Sequence, residues 1–128
     1  MSPRSEELLG GATKWLSSAR AALSSGFPES ATADAYYAAL YAARAALSEE
    51  DRYAKTHGGV WDLFYLVFVE SGRFDEALAA DARRTERLRL DAHYEALPIS
   101  TDEAQHAVDT AERFAAAVER LFPPEVPE

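Results

Sequence analysis

The sequence contains no cysteine, which excludes disulfides and thiolate metal sites and fits a reducing compartment. Cations are scarce: 13 Lys and Arg face 22 Asp and Glu, for a formal net charge of −9. Such a surface repels polyphosphate on average, so nucleic-acid contact has to come from a local basic site. RNA or a nucleotide is the ligand to consider, and DNA is not expected. Alternating Val, Ile and Thr runs, the mark of strands, are missing. The longest apolar run, residues 60–69, is interrupted by Asp62 and falls well short of the roughly 20 residues of a membrane span. The opening MSPRSEELLGG lacks the apolar core of a secretory signal. These features predict a cytoplasmic, membrane-free protein. Phosphate-loop, zincin and nucleophile-elbow motifs are also missing, and the acidic residues are dispersed. Neither a metal nor a cofactor is expected.

What is present is a helix-forming composition. Alanine leads, with leucine, arginine and glutamate behind it, all favourable in helix interiors. A chain of 128 residues is the usual size of one domain, expected here over residues 1–122, with a disordered tail over 123–128. Leu8, Ala12, Trp15, Ala19 and Leu23 form an apolar stripe and predict a first helix over residues 5–25, which Gly26-Phe27-Pro28 ends. Tyr36, Leu40, Ala43 and Leu47 predict a second over 29–48, followed by a polar loop through Gly59. Trp61, Phe64, Val67 and Phe68 predict a third over 60–70, expected to be the most buried. A fourth is predicted over 75–94, with Pro98 beyond it. A fifth starts at Ser100, where Ser-Thr-Asp-Glu fits a capping box, and ends at Pro123-Pro124. Short connections predict an all-α, antiparallel up-and-down bundle of four or five helices.

The stretch ARRTERLRLDAHY, residues 82–94, reverses the acidic trend with Arg83, Arg84, Arg87 and Arg89. On a helix, Glu86, Arg89 and His93 share one face, and Arg83, Arg87 and Tyr94 a neighbouring one. Guanidinium groups bind phosphate oxygens bidentately. An imidazole moves protons near neutral pH. Together they suit metal-free RNA cleavage, in which a 2′-hydroxyl attacks the adjacent phosphorus and an arginine offsets the developing charge. The plainer alternative is a solvated helix face with a Glu86–Arg89 ion pair.

A second candidate is RYAKTHGG, residues 52–59. Lys55 and His57 could meet an anion or a partner there, and Arg52 and His57 also have R-x4-H spacing. Alternatively Thr56 or His57 caps the next helix. Tyr36, Tyr37 and Tyr41 suit a stacking platform for bases, or else pack helix two with hydroxyls outward. His106 has no partner cluster.

Four segments resemble those of stand-alone prokaryotic HEPN proteins, in the same order. ADAYYAALYAARAAL (33–47) is similar to S-R-A-Y-Y-A-x-F-x-A-A-R-A-L-L. KTHGGVWDLF (55–64) is similar to K-T-H-x-G-V-x-x-x-F, and RLDAHYEA (89–96) to R-x-x-A-D-Y. TDEAQHAVDTAERFAAAVERL (101–121) is similar to the last helix of those proteins. The resemblance implies a helical bundle that forms a homodimer, and a metal-independent ribonuclease of toxin–antitoxin or defence type, paired with a nucleotidyltransferase antitoxin. It also implies an R-x4-6-H motif, which Arg87 and His93 fit, with Arg89 beside them in catalysis. Arg83, Arg84, Tyr94, Lys55 and His57 are the accompanying candidates for RNA or nucleotide contact. His93 stands where this branch commonly has aspartate, and Tyr94 follows it directly. The alternative implied is a non-catalytic module binding a nucleotide or a nucleotidyltransferase.

Overall fold

In the computed structural model, which describes residues 1–124, α1 spans Pro3–Ser24, α2 Pro28–Glu49, α3 His57–Phe64, α4 Glu76–Tyr94 and α5 Thr101–Leu121. All regular structure among the described residues is helical. The last four residues of the expected tail lie outside the described residues. Each start has a local cause. Pro3 and Pro28 occupy first turns, where a missing N–H costs nothing. The side chains of Ser2, Thr56, Asp75 and Ser100 accept from backbone N–H groups three residues on. Ser100 and Glu103 complete the capping box with two reciprocal 3.0 Å bonds.

α2 is the central helix, packing against α1, α3, α4 and α5. Ala35, Ala38, Ala39, Ala42, Ala43, Ala45 and Ala46 are all buried. Small side chains on several faces let neighbouring backbones approach from several directions at once. This corrects the expectation that the third helix is the most buried: α2 is, and its alanines rather than large residues are the reason. The aromatic core lies beside it. Phe64, Phe74 and Phe114 stand with ring centroids 5.0–5.2 Å apart, and Trp61 is edge-on to Phe114 at 5.6 Å.

The third segment departs from expectation at both ends. Thr56 caps through Gly59 N–H at 3.0 Å, so the helix begins at His57 and takes both glycines into its first turn. A Cβ at position 59 would lie 2.9 Å from Thr56 Oγ1 and 3.3 Å from Ala54 Cβ, so a side chain there would make the connection before the helix shift. After Phe64 the chain widens into a π-turn, Tyr65–Val69, closed by Glu70 N–H to Tyr65 O at 2.9 Å. Phe68 is fully buried, 5.0 Å from Phe64 four residues earlier, while Leu66 is exposed.

In α1, Leu16 rather than Trp15 joins Leu8, Ala12 and Ala19 in the buried stripe. Trp15 is half-buried and stacks on Tyr37 at 5.1 Å. The two adjacent glycines of α1 differ in their surroundings. A Cβ at Gly11 would lie 2.6 Å from Tyr41 Cδ2, whereas one at Gly10 meets nothing within 4 Å. Gly11→Ala is expected to lower stability by about 1–3 kcal/mol through overpacking. Gly10→Ala is expected to raise it by about 0.5–1 kcal/mol through helix propensity. Urea denaturation of the two variants checks the opposite signs.

Candidate functional site

Tyr36 sits at the junction of three helices and is fully buried. Its hydroxyl donates to the Glu86 carboxylate of α4 and accepts from Trp61 Nε1 of α3 at 3.1 Å. The hydroxyl therefore points inward, contrary to the outward orientation expected from the sequence. Burial pushes the phenol pKa well above its ordinary value, and the bond to Glu86 pushes it further; the Trp61 N–H and the Arg89 charge oppose this.

Arg89 lies against the same tyrosine. Its guanidinium carbon is 5.4 Å from the centroid of the Tyr36 ring and 5.5 Å from that of Tyr37. Two aromatic faces attract and orient the cation. Its Nε is buried without a hydrogen-bond partner. Glu86, three residues earlier on the same face, is the natural ion-pair partner for Arg89. Tyr36 holds one oxygen of that carboxylate, and among the described residues Arg89 makes no ion pair, although the Glu29 carboxylate lines the same hollow. The other three arginines of α4 are occupied: Arg83 with Asp62 at 2.8 Å, Arg84 with Asp81, and Arg87 with Asp91 at 3.2 Å. All three pairs are solvent-facing and worth little individually.

The structure sorts the sequence candidates into separate places. Arg89 and His93 line one open hollow of about 260 Å3, with Glu29, Ser30, Ala33 and Ala92. Arg83, Arg84 and Arg87 line an adjacent one of about 420 Å3 with Glu86. Arg87 therefore does not share a hollow with His93, although the motif spacing pairs them. His93 is exposed and meets the ring of Tyr94 edge-on at 4.7 Å. Tyr94 itself is 73% exposed.

His57, half-buried at the start of α3, packs its ring 5.7 Å from Tyr36 and 6.1 Å from Tyr37. It thus joins the tyrosine pair that supports Arg89, while Lys55 stays exposed in the connection before it. Arg52 lines a cavity elsewhere, with Arg44. Sequence reasoning missed Trp61 as a polar partner. Its position four residues after His57, on the same helical face, was the available signal.

Chemically, the hollow offers an arginine already oriented by two rings, beside an exposed imidazole. A phosphate entering it would meet guanidinium donors not spent on a carboxylate. Among the described residues no group of three His, Asp or Glu side chains gathers as metal ligands, and no helix is long and apolar enough to cross a membrane.

The chain is an all-helical bundle among the described residues, and the HEPN domain model matches residues 5–121. The chain belongs to the HEPN domain family. Over 92 residues it is 30% identical to a protein of Methanocaldococcus jannaschii named Putative toxin MJ0605, a match covering 72% of this chain and 69% of that one.

The Tyr36 hydroxyl gives a direct prediction. The folded state retains the phenol proton to higher pH than the unfolded chain does. Stability from this group is therefore intact below about pH 10 and lost as pH rises further. Tyr36→Phe strands Trp61 and Glu86 and is expected to lower stability by about 1–3 kcal/mol at pH 7. It should also flatten the decline above about pH 10, which denaturation series at several pH values would measure.

Proposed function

We propose that this HEPN protein is a metal-independent ribonuclease of the toxin or defence type, acting in the cytoplasm through Arg89 and His93. The observation that carries the reading is the guanidinium of Arg89, set on two tyrosine rings without an ion pair and sharing a hollow with His93. Arg89 binds the scissile phosphate and offsets the charge that builds on its oxygens. His93 takes the proton from the attacking 2′-hydroxyl or gives one to the leaving 5′-oxygen. Arg83, Arg84 and Arg87, in the next hollow along α4, meet neighbouring phosphates by exchanging their exposed carboxylate partners. Tyr94 positions the RNA beside His93. Exposed Tyr94 and Leu97 at this end of the bundle support a homodimer that brings a second copy of the site, and with it a second imidazole, into reach. A nucleotidyltransferase antitoxin is the partner this reading calls for, and Lys55 and His57 are candidates for that contact or for RNA.

A second reading is favoured by the separation of Arg87 from His93: a non-catalytic module that binds a nucleotide or a nucleotidyltransferase through the same face. An RNA cleavage assay with EDTA present separates the two. His93→Ala and Arg89→Ala are each expected to lower cleavage about 100-fold or more while leaving the fold intact by circular dichroism. Cleavage retained in His93→Ala would overturn the ribonuclease reading. Binding without cleavage in the wild type would establish the second.

A further inference from the structure

Away from α4, a cavity of about 170 Å3 lies between the start of α1, the C-terminal half of α2 and the connection before α3. Arg4, Arg44, Arg52 and Tyr53 line it, over an apolar floor that includes Leu8 and Leu47. Among the described residues no carboxylate contributes to its wall, in a chain of net charge −9. Arg4 meets Glu7 at 3.3 Å in an exposed pair, which a stronger anion can displace at little cost. Among the described residues neither Arg44 nor Arg52 is in an ion pair. Arg44 is half-buried on α2, a partly desolvated cation without a counter-charge. Arg52 is tied to the end of α2 by its N–H to Leu47 O at 2.9 Å. Tyr53, the next residue, is 70% exposed and so stands at the cavity mouth.

We propose that this cavity binds the terminal phosphomonoester of a nucleotide, with the adjoining base stacked on Tyr53. A terminal phosphate carries between one and two negative charges at neutral pH and three free oxygens. An internal phosphodiester carries one charge and has chain on both sides. Three arginines lining a small volume supply the charge and the forked donors that suit the former. An exposed aromatic ring beside them accepts any base face. The hollow of Arg89 and His93 shares no residue with this cavity, so the two sites are tested independently. A free 5′-nucleotide and the 5′-phosphorylated end of an RNA present the same chemistry.

The test is fluorescence anisotropy on the full chain, with one short RNA carrying either a 5′-phosphate or a 5′-hydroxyl, and AMP or adenosine as competitor. The 5′-phosphate is expected to tighten binding about tenfold or more. Arg44→Gln combined with Arg52→Gln should abolish that preference, and His93→Ala should leave it unchanged whatever happens to cleavage. Competition by AMP but not adenosine extends the site to free nucleotides; absence of AMP competition restricts it to RNA ends. Equal binding of the two RNAs overturns the proposal, as does a preference that survives loss of both arginines. Should the double variant fail to fold, Arg52→Gln alone alters only an exposed side chain and is expected to weaken the preference severalfold.

Discussion

The hydroxyl of Tyr36 is the constraint on which the candidate site depends. It is a buried polar group, and a buried polar group has to be satisfied. Here the satisfaction comes from two other helices, through Trp61 and Glu86. One phenol therefore fixes the relative placement of α2, α3 and α4. Trp61 is also edge-on to Phe114, so the polar junction is continuous with the aromatic core. Displacing α4 would cost both the bond to Glu86 and the cover that Arg89 places over the two tyrosine rings.

The electrostatics of the hollow centre on one arginine. Three of the four arginines on α4 are held in ion pairs. Arg89 differs: among the described residues it makes no ion pair, and two tyrosine rings flank its guanidinium instead. A local positive site thus survives inside a molecule of net charge −9, without surplus arginines. Such a net charge opposes indiscriminate attraction of any polyanion.

Much of the fold was legible because helix signals are local. The Ser100–Glu103 box, the prolines at first turns and the apolar stripes of α1, α2 and α5 each act within a few residues. The α3 start was less legible: Thr56 was only one of two possible caps, and a pair of glycines argued for a loop. Periodicity gave the face shared by Glu86, Arg89 and His93. It could not say whether Glu86 would turn to Arg89 or to a tyrosine fifty residues away, because that choice is made by tertiary packing. For the same reason His57 was read apart from Tyr36 and Tyr37, although the fold packs its ring against both.

The π-turn at Tyr65–Val69 has a consequence for how this segment tolerates sequence change. A π-turn holds one residue more than a regular helical turn, so one residue can leave it without turning the flanking residues to another face. Phe64 and Phe68 share a face whether four residues apart, as here, or three apart in regular winding. Phe68 therefore keeps its edge-on contact with Phe122, at 6.1 Å, when the outward-facing Leu66 is removed. Length is the quantity in which this part of the chain has slack, and the two phenylalanines are what it has to preserve.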